Sequence, residues 1–312
     1  PNADASIFQQ ILFNRGLDES WANANEDQFF DGSTMRNFEK GKELLFKHLN
    51  ANSAICILVD NDYDGFSSGA IIFQWIKDRY PDIELEPIFT EGKVHGIIES
   101  TIPDCDLLII PDASSSEIKQ HKNLSVRGIE ILVLDHHHGM GEESEYAVVI
   151  NPHNKLCSYP NKNLSGGGVV WKFIQAIDEE EGKDYYQQYI DLAATSIIAD
   201  VMSLQSLENK AIVNLGLRNL KNPYLKAYLK ADVRVKDKPM NPILISFYFA
   251  PQINALIRMK GEEEKRELFE ALSGQIPPEP VIAKLISVKG SQDRKKDSLI
   301  PRIVMKLKEK GI

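Results

Sequence analysis

Residues 54–65 read AICILVDNDYDG: six apolar residues run into Asp60, Asp62 and Asp64 at alternate positions and then into Gly65. The apolar run is too short for a core helix and too continuous for a strand with one wet face, so it predicts a strand buried on both sides. Four further stretches have the same character: IELEPIF (83–89), DLLIIPD (106–112), IEILVLD (129–135) and AVVIN (147–151). Between them, 66–80 and 115–122 carry helical patterns. Strands alternating with helices imply an α/β fold, a doubly wound, mostly parallel five-stranded sheet. In such a sheet the crossovers are right-handed and ligands sit at the carboxyl ends of the strands.

Those ends carry the chemistry. Asp60, Asp62 and Asp64 follow the first run, Asp112 follows the third, and Asp135-His136-His137-His138 follows the fourth. Three strands thus deliver carboxylates and imidazoles to one edge, where the carboxylates would repel one another unless a cation compensates. Each piece has a plainer reading alone: DNDYDG as a solvated turn, Asp112 as a helix cap before SSSE, DHHH as a polar surface turn. An EF-hand is excluded, because position 12 of such a loop falls on Ile71 where a bidentate Glu is required. Oxygen-rich ligands with one or two imidazoles suit Mn²⁺ or Mg²⁺ better than structural zinc. The cluster therefore predicts a catalytic site with two divalent metal ions. Asp200 in TSIIADVMSL (195–204), at the end of a helical stretch that starts near Tyr185, is a further ligand candidate.

The rest of the chain sets bounds. At 312 residues, 43% hydrophobic and 26% charged, it has a globular composition. Residues 1–50 read as a polar helical lead-in, with Phe38, Leu44, Leu45 and Leu49 at helical spacing. Residues 51–204 read as the catalytic α/β domain, and 205–312 as a helical extension ending in a basic helix. No apolar run reaches membrane-spanning length and PNADASIFQQ lacks the features of a signal peptide, so a cytoplasmic protein is expected. Cys56, Cys105 and Cys157 are scattered, which argues against a disulfide framework and a thiolate zinc site. The net charge of −9 is uneven: from Val281 to Ile312 there are nine Lys or Arg against three Asp or Glu. Arg218 to Lys238 holds seven cations against two anions. Both are read as solvated helix faces or as a nucleic-acid footprint. The chain starts at Pro1 rather than Met, as a processed form or a fragment would.

These residues resemble the DHH phosphoesterases and, among them, the RecJ single-strand exonucleases. DNDYDG resembles the first family motif, Asp112 in IIPDASS the second, Leu134-Asp135-His136-His137 the third and IIADVMSL the fourth. NPHNKLCSYPNKNLSGGGVVWKF, FAPQINALIRM and the leading LFNRGLDE resemble segments of the RecJ branch. The resemblance implies metal-ligand roles for Asp62, Asp64, His136 and Asp200 and a bridging role for Asp112. Asp60 and Asp135 would be accessory ligands or would orient imidazole and water, and His137 would donate to the scissile phosphate. His138 matches no family role. Ser165-Gly166-Gly167-Gly168 is placed at the start of a helix running to Ile177, because glycines inside a helix cost about 1 kcal/mol each. There its backbone N–H groups would bind a phosphate.

Two departures stand out. Gln252 and Ile257 replace the Arg and Gly of the family's A-P-R-I-N-A-x-G-R-M segment, while Asn254 and Arg258 remain as phosphate contacts. No Gly-Gly-His of a following DHHA1 domain occurs, so the chain is expected to be a truncated core or a minimal relative. The expected activity is metal-dependent 5′-to-3′ exonuclease action on single-stranded DNA, in repair or replication, with partner proteins from those processes. Lys289 to Lys296, Arg258 and Lys172 would line the passage for the strand. The alternatives are a phosphodiesterase for short oligonucleotides or cyclic dinucleotides, and a non-catalytic replication or repair scaffold of the same fold.

Overall fold

The computed structural model describes residues 6–90, 95–139 and 141–309. Residues 1–5 and 310–312, the extremes of the expected lead-in and basic helix, lie outside the described residues. Five strands form one sheet: β1 (Ile55–Val59), β2 (Leu85–Phe89), β3 (Leu107–Pro111), β4 (Glu130–Leu134) and β5 (Val148–Ile150). Every pairing is parallel and the spatial order is β2-β1-β3-β4-β5. Chain direction across the sheet reverses between β1 and β3, which makes their carboxyl ends the crevice of a doubly wound sheet.

Alternation along each strand feeds two cores. Ile55, Ile57 and Val59 join the larger apolar cluster, while Cys56 and Leu58 join a smaller one with Ile110, Leu124 and Val133. On the larger side lie α3 (Phe38–Ala51), α4 (Tyr63–Arg79) and α6 (Gly166–Glu180), and on the smaller side α5 (Ile118–Val126). Two short helices, α1 (Ile7–Asn14) and α2 (Glu19–Ala22), precede them in the chain. The lead-in reaches the sheet itself: a Cβ on Gly41 of α3 would lie 2.7 Å from the Ile150 side chain of β5. After the sheet come α7 (Ile190–Ala199), α8 (Leu207–Arg218) and α9 (Pro223–Ala231). A helical rod follows, made of α10 (Pro242–Leu244), a π turn at Ile245–Phe249 and α11 (Ala250–Met259). Last are α12 (Glu262–Leu272) and α13 (Pro278–Glu309).

The elements differ from the sequence expectations mainly at their starts. α4 begins at Tyr63 rather than residue 66 because the Asp62 side chain caps it, accepting from Gly65 N–H at 3.1 Å. α5 begins three residues later than expected. Asp112 and Ser114 adopt left-handed φ values of 66° and 74°, so this segment cannot enter a helix and the SSSE stretch does not cap it through a serine. The helix expected from near Tyr185 begins as a 3₁₀ turn over Tyr185–Tyr189 and becomes α-helical only at Ile190.

Candidate metal centre

The first acidic loop is built by close packing. A Cβ on Gly65 would lie 2.6 Å from Asp60 Cβ and 2.7 Å from Asp60 O, so only glycine lets the loop fold back against the strand end. Asp60 and Asp64 are buried beside this turn. From β3, the left-handed backbone at Asp112 turns its buried carboxylate toward the same point. From β4, Asp135 anchors the following histidines: its Oδ1 accepts from His136 N–H at 2.7 Å and His137 N–H at 3.1 Å, and pairs with His137 Nδ1 at 2.8 Å. Its Oδ2 accepts from Ser115 N–H at 3.0 Å. Asp200 arrives as the C-cap of α7.

The result is a ring of carboxylates around one imidazole nitrogen. His136 Nε2 lies 3.1 Å from Asp112 Oδ1, 3.6 Å from Asp200 Oδ2 and 3.7 Å from Asp64 Oδ2. Three sets could each hold a cation, with ligand atoms within 4.8 Å of one another: Asp64, His136 and Asp200; Asp60, Asp62 and Asp112; and Asp112, His136 and His137. Asp112 and His136 each belong to two of them, and of the pair only the carboxylate, with two oxygens, can serve two cations at once. The expected residues Asp60, Asp62, Asp64, Asp112, His136, His137 and Asp200 are thus brought together. Asp135 is not: among the described residues it belongs to no such set, and its oxygens accept from the N–H groups of Ser115, His136 and His137. It orients the DHH turn, the second of the two roles expected for it.

Electrostatics point the same way. Burial and the charges of Asp64, Asp62 and Asp60 hold the Asp112 carboxyl well above its ordinary range, and burial with Asp64 raises Asp62. Asp200 is pushed up to about 7 by burial and by Asp64 and Asp62. Burial lowers His136, so its ring faces the carboxylates as a neutral imidazole. Asp112 Oδ1 is buried without a hydrogen bond. A neutral nitrogen and crowded carboxylates around an orphaned oxygen are the donor set of a divalent cation, with the ligand atoms of each set within 4.8 Å of one another. His137 differs: its hydrogen bond to Asp135 raises it to about 9, leaving it cationic at neutral pH. Burial would raise Asp135, but the His137 hydrogen bond and charge outweigh it and hold that carboxylate below its usual range.

Several expected substrate contacts are redirected. Ser165 does cap α6 and Gly166–Gly168 open it, but Gly166 N–H donates to Asp64 Oδ2 at 2.8 Å and Gly167 N–H to Asp64 Oδ1 at 2.9 Å. The anion held by this helix end is Asp64, not a phosphate of the substrate, and Ser165 is spent on Gly168 N–H and Ser196. Lys172 is 1% exposed; it donates to Phe30 O at 2.5 Å and pairs with Glu208 at 3.3 Å, so it lines no passage. Asn254 Oδ1 accepts from Tyr63 N–H at 2.9 Å, steadying the acidic loop, and Arg258 is exposed one turn beyond it. Lys289 to Lys296 lie on α13, which packs on α9, α11 and α12. The rings of His138 and His153 meet at a tilt of 41° with centroids 3.8 Å apart, outside all three ligand sets.

Three contributors escaped the sequence reading. His95 Nδ1 lies 2.5 Å from Asp60 Oδ2, Ser196 donates to Asp64, and Asn151 Nδ2 donates to His137 O at 3.0 Å. The one available signal for His95 was that it follows β2, whose carboxyl end faces the same edge.

Residues 54–197 match the DHH family, N-terminal domain. Residues 54–197 are thus similar to the DHH N-terminal domain, and the proteins the chain is similar to are RecJ-like. The SPbeta prophage-derived protein YorK of Bacillus subtilis, by name a single-strand DNA-specific exonuclease, is 39% identical over 267 residues, 84% of this chain and 46% of its own length. The single-stranded-DNA-specific exonuclease RecJ of the same species is 24% identical over 81% of this chain and 33% of its own. Among solved structures, an exonuclease RecJ bound to manganese superposes with a TM-score of 0.75 at 21% identity, covering 87% of this chain and 70% of that one. The chain therefore spans less than half the length of these curated relatives.

Proposed function

We propose that this chain is the catalytic core of a metal-dependent phosphodiesterase that removes nucleotides from the 5′ end of single-stranded DNA. The observation that carries the reading is the orphaned Asp112 Oδ1, 3.1 Å from a neutral His136 Nε2 and ringed by Asp64 and Asp200. Two divalent cations, Mn²⁺ or Mg²⁺, held by Asp60, Asp62, Asp64, Asp112, His136 and Asp200, would supply Lewis acidity and a water acidic enough to attack at neutral pH. The likeness to proteins named as single-strand DNA exonucleases, one of them solved with manganese, supports the substrate and the metal. The 5′ polarity rests on the RecJ likeness.

The protein's own groups have separable tasks. Asp64 is fixed by two backbone N–H groups and Ser196, so its direction is set before anything binds. Asp135 holds Nδ1 of His137, leaving the outer ring nitrogen of a cationic imidazole to donate to a phosphate oxygen as charge develops there. The test is digestion of long single-stranded DNA labelled at either end, with Mn²⁺ or with EDTA, by the native chain and by Asp112→Ala. Mononucleotide release from the 5′ end, dependent on Mn²⁺ and reduced by roughly 10³-fold or more in the variant, is the expected result. Cleavage that persists in EDTA or in Asp112→Ala would sink the metal mechanism. Release from the 3′ end would overturn the polarity alone.

A further inference from the structure

Pro251 lies inside the continuous helical rod of α10, the π turn and α11. It has no N–H to offer the carbonyl four residues back, that of Phe247, and its ring crowds that carbonyl. The rod responds by widening: Ala250 N–H bonds to Ile245 O, an i to i+5 contact, across the π turn of Ile245–Phe249. Ile245, Phe249 and Ile253 remain fully buried on the inner side. On the outer side Ile243 and Phe247, one turn apart, stand 68% and 73% exposed. Single exposed apolar residues are ordinary, but a pair on one face beside a π turn calls for a partner.

The surroundings say which partner. Further along the same rod, Asn254 holds Tyr63 N–H in the Asp62–Asp64 loop, and Arg258 is exposed. At ~1.5 Å per residue, Phe247 lies about 10 Å along the helix from Asn254. Next to Phe247 in sequence, the Tyr248 ring carries the Arg234 guanidinium at 5.5 Å, which Asp232 grips at 2.9 Å. Asp232 in turn accepts from Gln252 at 2.6 Å, so the position where the related segment carries Arg is used here to secure a neighbouring guanidinium. An exposed aromatic ring on a rod that also presents Arg258, next in sequence to a tyrosine that carries the Arg234 guanidinium, suits a polyanion with flat apolar faces.

We infer that Phe247, with Ile243 beside it, is a stacking platform for unpaired nucleobases of a strand held at the catalytic carboxylates. The inference rests on the single-stranded DNA reading and adds to it the surface that distinguishes an unpaired base from a bare sugar-phosphate chain. Stacking needs no base-specific hydrogen bonds, so the platform is sequence-tolerant.

The test measures binding without turnover, by fluorescence anisotropy in an Asp112→Asn background, using oligo(dT) and an abasic oligonucleotide of equal length. With Phe247 present, oligo(dT) binds about 5- to 100-fold more tightly than the abasic strand. Phe247→Ala brings oligo(dT) down toward the abasic level without changing the circular dichroism, and Phe247→Trp restores the difference. A preference for oligo(dT) that survives Phe247→Ala overturns the platform, as does failure of oligo(dT) to bind at all. Intact binding with no cleavage by the native chain would instead overturn the nuclease reading alone.

Discussion

At the scale of single residues, two positions carry costs that the fold tolerates. Val201, just after Asp200, has φ 57° and an 86% exposed side chain. Its N–H bonds to Ile198 O and that of Met202 to Ile197 O, the paired bonds of a helix end where glycine is the usual residue. A β-branched side chain in this conformation costs about 1–2 kcal/mol, so Val201→Gly is expected to stabilise the protein by ~1 kcal/mol, seen as a higher Tm in calorimetry. An unchanged or lower Tm would show that no strain is stored there. His121 is fully buried, and burial pushes it down to about 4. Its folded pKa lies below the unfolded value near 6.5, so the unfolded chain binds the extra proton first. Stability from this group is complete above about pH 6.5, falls as pH drops, and is exhausted near pH 4, a loss of roughly 3 kcal/mol. Urea unfolding of His121→Gln, compared with the native chain from pH 7 to pH 4, should show a shallower decline. Residue identity made much of the centre legible: carboxylates and imidazoles recurring after apolar strands have few other uses. It could not show that Asp135 turns all its acceptors inward, since that depends on where Ser115 N–H falls.

Among the elements, the start of α6 decides most. Its glycines were read as a phosphate cradle, yet their N–H groups hold Asp64. A Cβ on Gly166 would lie 2.4 Å from Asp112 Cβ, whereas one on Gly168 would come no nearer than 3.2 Å to Leu164 Cδ2, with Ser165 Oγ at 3.5 Å. Gly166→Ala should therefore displace Asp112 and cut nuclease turnover by 100-fold or more. Gly168→Ala should keep activity within a few-fold, because a small shift of one leucine accommodates it. Equal activities for the two variants would refute the argument that glycine is needed here for the approach of Asp112. Strand and helix identity was legible from periodicity, as at β1 and α4. The start of α5 was not, because the left-handed turn at Asp112 and Ser114 has no glycine to announce it.

For the whole molecule, the fold concentrates six aspartates at one end of one sheet, and a bound cation should relieve their mutual repulsion. Saturating Mn²⁺, at ~100 times its Kd, is expected to stabilise the protein by about 2.7 kcal/mol and raise its Tm by several degrees. EDTA should reverse the shift and Asp112→Ala should abolish most of it. A Tm indifferent to Mn²⁺ would remove the basis for a metal centre. No helix among the described residues is long and apolar enough to cross a membrane. By itself the sequence determined the parallel sheet, the edge at which its chemistry gathers and the residues that gather there. Local patterning specifies buried strands, and parallel topology then places their carboxyl ends together. Only the tertiary structure decided which anion sits on the glycine turn, that Lys172 is locked in the core with Glu208, and that His95 reaches Asp60. Each of these depends on groups far apart in the chain meeting at hydrogen-bond or contact distance, and neither periodicity nor motif spacing encodes such a meeting.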